Sequence, residues 1–211
     1  MLFSEILNNP VLGLLILLAI IIVIGLHEFS HALAGFLLGD HTAEDEGRLT
    51  LNPFAHLDPV GTLMIVFAGF GWGKPVPYNP YNLRNQKWGP ALIGLAGPAS
   101  NFISALFFAA ILKLALPSSS LDNYLIQFLL YLVYISVGLG FFNLLPIPPL
   151  DGSKFLFAII PSRYENVIYW LQKNGIIFLI GLVLILNVAN VPLFDWIINF
   201  LISGIFSIVG L

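Results

Sequence analysis

The sequence predicts an all-α polytopic membrane protein of about five transmembrane helices (four to six), with a re-entrant or short β-containing segment between the first two. Three observations carry this. Only 9% of the 211 residues are charged, where a soluble domain carries about 25%. Hydrophobic residues make up 58%, enough to coat whole helices and not just one face of each. The charges fall in clusters separated by charge-free windows, several of which reach the ~20 residues needed to cross hydrocarbon.

The first window runs from Ile6 to Leu26 and continues, through one polar motif, to Gly39. No Lys or Arg precedes it and no small-residue cleavage site follows, so it reads as a membrane span and not as a removed signal peptide. Pro59 to Gly73 is apolar but short and rich in Gly, which gives the re-entrant or interfacial reading. Trp88–Leu112 is the second span, Asn123–Leu150 the third and Asn174–Phe194 the fourth. Trp196–Leu211 is a short fifth. The chain reads as one integral-membrane domain, residues 1–211, with a core over 11–163 and C-terminal spans over 167–211.

Lys and Arg set the orientation. With the N-terminus outside and five crossings, Arg48, Lys74, Arg84, Lys87, Lys154, Arg163 and Lys173 fall inside, and only Lys113 borders an outside loop. A net charge of −3 gives no reason to expect nucleic acid as a partner. The absence of Cys excludes disulfides and Cys-ligated metals.

The polar motif in the first span is His27-Glu28-Phe29-Ser30-His31. HExxH on a helix places two imidazoles at i and i+4 on one face, able to share one zinc, with a Glu beside them able to act as base toward a metal-bound water. Ionisable groups inside an apolar span are costly and read as functional. If the helix ends near Gly39, His31 and His27 lie roughly 12 and 18 Å from that end, at about 1.5 Å per residue. A third ligand should come from a segment ending at the same depth. The third span runs in the same direction as the first and ends in Asn143-Leu-Leu-Pro146-Ile-Pro148-Pro149-Leu150-Asp151-Gly152. The prolines break the helix and Asp151 follows at once.

HEFSH early in the chain and NLLPIPPLDG two hydrophobic segments later resemble the site-2 protease family of intramembrane zinc metalloproteases. The resemblance extends from about Leu12 to Arg163. It takes in GRLTLNPFAHLDPVGT (Gly47–Thr62), GFGWGKPVPYNP (Gly69–Pro80) and AGPASN (Ala96–Asn101). It points to the compact bacterial and archaeal branch, without PDZ or CBS domains. It implies His27, His31 and Asp151 as ligands of one Zn2+ per chain, Glu28 as catalytic base, and Asn143 as a group stabilising the oxyanion or positioning substrate. Single-span transmembrane proteins in the bilayer are the implied substrates. The implied location is the prokaryotic cytoplasmic membrane, with the active site towards the cytoplasm. The sequence gives no oligomeric state.

Several residues keep two readings. Asp151 suits both a metal ligand and the N-cap of a following helix. Asn143 suits an oxyanion donor or a partner for carbonyls freed by the prolines. His56 suits the metal pocket or a loop histidine held by Asp58. Asn101 suits oxyanion or substrate contact, or a bond between packed helices. His41, in an acidic loop, reads as solvated. Gly71, Trp72, Gly73 and Lys74 suit a strand edge that pairs with unwound substrate, or a surface loop. A metal-ion transporter and an inactive membrane binding partner are the rival functions. No internal repeat of HExxH or PPLDG supports the first, and the intact Glu28 argues against the second.

Overall fold

The computed structural model describes residues 2–68, 71–116 and 120–211, and these are helical with no strand among them. Four helices are long and apolar enough to cross a membrane by length and composition. These are α2 (Pro10–Leu37), α5 (Gly89–Ala115), α6 (Tyr124–Leu144) and α8 (Glu165–Val188). The shorter helices are α1 (Leu2–Asn8), α3 (Thr42–Asp45), α4 (Pro59–Ala68), α7 (Gly152–Ile159) and α9 (Leu193–Val209). The polytopic all-α fold expected from composition is what the chain forms.

The differences from expectation are local. The first span does not begin at Ile6. Asn9 accepts from Leu12 N at 3.2 Å and Pro10 takes the first helical position, so the chain breaks there and α1 folds back on α2. Pro59–Gly73 contains no strand among its described residues. Its core is the ten-residue α4, opened by Pro59 and capped by Asp58, which accepts from Gly61 N at 2.7 Å. At about 1.5 Å per residue α4 reaches roughly 15 Å, too short to cross. Gly69 and Phe70 lie outside the described residues. Beyond them the extended chain makes one antiparallel bridge, Gly73 with Leu57. α8 starts nine residues before the expected Asn174. A charge-free window marks the hydrocarbon and not the helix end, and Glu165 and Lys173 occupy the helix's first turns.

α2, α5, α6 and α9 form one bundle. Ala19 and Val23 of α2 meet Leu112 of α5 and Ile126, Leu129 and Leu132 of α6. Ala105 and Ala109 of α5 meet Val133 and Val137 of α6 and Ile202 and Ile205 of α9. The alanines at these contacts let backbones come close and the larger side chains pack around them, the packing that holds helices together where lipid is as apolar as the side chains.

α9 departs from simple alternation. Phe194 meets Phe141 and Phe142 at the end of α6, while Lys113 of α5 donates to Val209 O at 2.7 Å at the opposite end of the bundle. α9 therefore runs antiparallel to α6, and the chain lies at the same end of the bundle before α8 and after it. α8 meets the rest of the molecule at that end, with Gly175 against Pro148 and Ile168 and Gln172 beside Ser153 and Phe157.

Candidate metal centre

α2 is unbroken from Pro10 to Leu37, so His27 and His31 lie on one face, roughly 15 and 9 Å from its end at about 1.5 Å per residue. The prolines after Leu144 end α6 and turn the chain back, and Asp151 opens α7 facing α2. The result is convergence. His27 Nε2 lies 3.2 Å and His31 Nε2 3.1 Å from Asp151 Oδ2, and the two Nε2 atoms are 3.0 Å apart. All three residues are buried. Asp151 stands at the N-cap position of α7 without its side chain capping the helix. Its Oδ2 faces the histidines and its Oδ1 accepts from Lys154 Nζ at 2.9 Å.

Three donors held about 2.0–2.2 Å from a tetrahedral zinc stand roughly 3.3–3.5 Å apart. The observed separations, 3.0 to 3.2 Å, are a few tenths shorter. Two imidazoles and one carboxylate are also a donor set that zinc favours. The residues fit the ion.

α5 forms the wall behind the histidines. Ile93 O accepts from His31 Nδ1 at 2.6 Å, and Asn101 Nδ2 lies 3.1 Å from His27 Nδ1. Between them, Gly97 leaves a gap that the rings occupy: a Cβ there would stand 2.5 Å from His31 Nε2 and 2.6 Å from His27 Cε1. Gly94 does the same for α7, where a Cβ would meet Asp151 O and Lys154 Cδ at 2.9 Å.

Glu28 follows His27 on α2 and borders the extended segment: a Cβ on Gly73 would lie 3.3 Å from Glu28 Oε1. That segment is pinned from two sides. Lys74 N donates to His56 O at 2.8 Å, and the buried Arg48 donates to Lys74 O at 2.6 Å and Pro75 O at 3.0 Å.

His56 is fully buried, with Nε2 2.8 Å from Thr50 O and Nδ1 3.4 Å from Arg48 Nη2. Both ring nitrogens are committed away from the ligand cluster. Its partners are Arg48 and Thr50, not Asp58. Burial pushes its pKa below the usual value and the neighbouring Arg48 adds to this, against the pull of the Thr50 carbonyl. Asn143, on the last turn of α6, donates to Leu139 O at 3.1 Å. His41 pairs with Glu44 at 2.7 Å on the surface.

Sequence reasoning missed Lys154, Ile93 O and Arg48. A backbone carbonyl carries no sequence signal, and a lone Lys or Arg looks solvated until the fold buries it, as it does Arg48, or sets it against a carboxylate, as it does Lys154. Gly97 lay inside the AGPASN run, and its Gly-Pro pair was a visible sign of close approach.

Residues 113–188 match peptidase family M50, a stretch that holds Asp151 but not the histidines. YwhC of Bacillus subtilis is 37% identical over 175 residues, covering 78% of this chain and 78% of its own length. Rip2 of Mycolicibacterium smegmatis is 32% identical over 174 residues, covering 78% of this chain and 63% of its own. Both are provisionally named zinc metalloproteases. Protease RseP of Photorhabdus luminescens is 36% identical over 73 residues, 31% of this chain and 32% of its own. No solved structure matches. Apolar helices, a buried His-His-Asp cluster and these relatives together define a zinc metalloprotease embedded in the membrane. The chain belongs to peptidase family M50, the intramembrane proteases that its motifs resemble as site-2 proteases.

Proposed function

We propose that this chain cleaves single-span membrane proteins, membrane-tethered regulators or remnant signal peptides, near the cytoplasmic side of a prokaryotic cytoplasmic membrane. His27, His31 and Asp151 would hold one zinc per chain. The observation that carries this is the meeting of His27 Nε2, His31 Nε2 and Asp151 Oδ2 within 3.2 Å, from helices 120 or more residues apart in sequence. A zinc bound there supplies a Lewis acid for a peptide carbonyl and makes hydroxide available near neutral pH.

The remaining work falls to the chain. Glu28 accepts the proton of the attacking water and returns it to the leaving amine. Asn143 donates to the developing oxyanion: its bond to Leu139 O uses one amide hydrogen and orients the second. Helical carbonyls are hydrogen-bonded and shielded, so a spanning substrate must unwind before it can react. Gly71-Trp72-Gly73-Lys74 is extended and passes beside Glu28, which suits strand-like pairing with unwound chain. Seven of eight Lys and Arg on the site's side of the bundle support a cytoplasmic site with the N-terminus outside.

The test is cleavage of a panel of single-span substrates by purified protein in liposomes. Wild type is compared with Glu28→Ala and Asp151→Ala, with zinc measured in each. Glu28→Ala is expected to retain zinc and lose cleavage, and Asp151→Ala to lose both. Undiminished cleavage by Glu28→Ala would overturn the mechanism.

A further inference from the structure

We propose that Asn101 is a positioning residue for His27: its side-chain amide holds Nδ1 and thereby fixes the ring orientation that presents Nε2 to the metal. This rests on the reading of His27, His31 and Asp151 as zinc ligands.

Every member of that set has a partner on its far side. His31 Nδ1 has Ile93 O at 2.6 Å, and Asp151 Oδ1 has Lys154 Nζ at 2.9 Å. His27 Nδ1 has the Asn101 amide at 3.1 Å. Ile93, Gly97 and Asn101 follow one another at intervals of four on α5, so one helix face presents a carbonyl, a gap and an amide to the two rings. Such outer partners set the tautomer of a metal-bound imidazole.

Asn101 has no competing use. It is fully buried, and Oδ1 has no hydrogen-bond partner among the described residues. A buried amide in an apolar helix is costly unless paired, and the one pairing made here goes to a ligand ring and not to a backbone group of a neighbouring helix. The unpartnered oxygen has a ready role. For Nε2 to bind a cation it must carry its lone pair, so the ring hydrogen sits on Nδ1 and needs an acceptor. A half-turn of the amide about its last torsion puts Oδ1 where Nδ2 stands. With Nδ2 facing the ring, as in the structure, the amide instead suits the other tautomer, whose Nε2–H points to Asp151 Oδ2 at 3.2 Å. An Asn serves both states; an Asp serves only the metal-binding one.

The readout is zinc affinity, measured on the metal-free full chain in detergent by competition with a chromophoric chelator, with the metal-free melting temperature as the control for folding. Asn101→Leu is expected to weaken zinc binding about 10–100-fold, the usual cost of losing such a partner, without a matching fall in melting temperature. Asn101→Asp, which restores an acceptor, is expected to stay within about threefold of wild type. Wild-type affinity in Asn101→Leu would overturn the proposal, as would equal losses in the two variants. If Asn101→Leu does not fold, Asn101→Asp decides, and a loss above about tenfold overturns the proposal. His27→Ala separates the two readings: unchanged zinc affinity there would remove the ligand assignment itself.

Discussion

α5 and α8 are both long apolar helices, of 27 and 24 residues, and composition alone gives them the same role. The structure treats them differently. In its most apolar stretch α5 is 33% buried and α8 is 6%. α5 carries Gly94, Gly97, Pro98, Ala105 and Ala109 towards its neighbours, and its Ile93 carbonyl and Asn101 amide hold the two histidine rings of the candidate metal site. α8 carries Ile176, Ile177, Phe178, Ile180, Leu184 and Ile185, all exposed, and meets the rest of the molecule near its start, at the Pro146–Pro149 turn and beside α7. Hydrophobicity takes a helix into lipid. Small residues at the right spacing decide whether it packs.

The same substitution in the two helices tests this most sharply. Gly97→Ala would push a methyl group into both histidine rings, and zinc affinity should fall about 100-fold, at the upper end of losses from disturbed outer partners. Gly181→Ala in α8 meets nothing within 4 Å among the described residues, so zinc binding should be unchanged. Chelator competition on both variants gives the comparison, and equal affinities would contradict it.

The junction between the regions holds Asn143. If it donates to the oxyanion, Asn143→Ala should lower kcat about 100-fold with little change in KM. A lower melting temperature with kcat intact would instead leave it as the partner of Leu139.

Smaller effects separate the packed from the unpacked face. Val133→Ala, in the contact between α5, α6 and α9, should cost about 1–2 kcal/mol through lost packing. Ile177→Ala, on an exposed face of α8, should stay within about 0.5 kcal/mol. Unfolding in mixed detergent measures both, and similar costs would mean that α8 packs as α6 does.

The smallest expected effect is on pH. His56 is held neutral by burial and by Arg48, so its folded pKa lies below 6.5. The unfolded chain takes up the proton first. The contribution of His56 is therefore complete above pH 6.5 and declines as pH falls from there through the lower folded value. Asp40 behaves alike in a lower window. Burial would raise its carboxyl, but hydrogen bonds from Thr42, Asn79 and Asn82 prevail and hold it below 3.8. Its contribution persists until pH drops below that value. Melting curves between pH 7.5 and 5.5 should show a decline that His56→Gln flattens. An unchanged slope in that variant would assign the dependence elsewhere.

Much of the site was legible because its signals are local. HEFSH in an apolar window needs only helical periodicity to bring two rings together. Pro146, Pro148 and Pro149, three prolines within four residues, cannot continue the helix that carries Asn143. Asp151 was placed by counting crossings, and His27, His31 and Asp151 do converge. His56 and Asn101 were ambiguous because a polar side chain in a sequence does not reveal its partner. The fold gave the first to Arg48 and Thr50 and the second to His27.

The sequence by itself determined a membrane-embedded helical protein, the helix break at the prolines and the ligand types for a metal. These follow from transfer free energy, backbone sterics and donor chemistry, each read within a few residues. Tertiary structure alone decided that α9 joins the bundle while α8 stays at its edge, that Arg48 is buried against the extended segment beside Glu28, and that α5 supplies the outer partners of both histidines. Those outcomes depend on which helix faces meet and how closely, a property of pairs of helices distant in sequence.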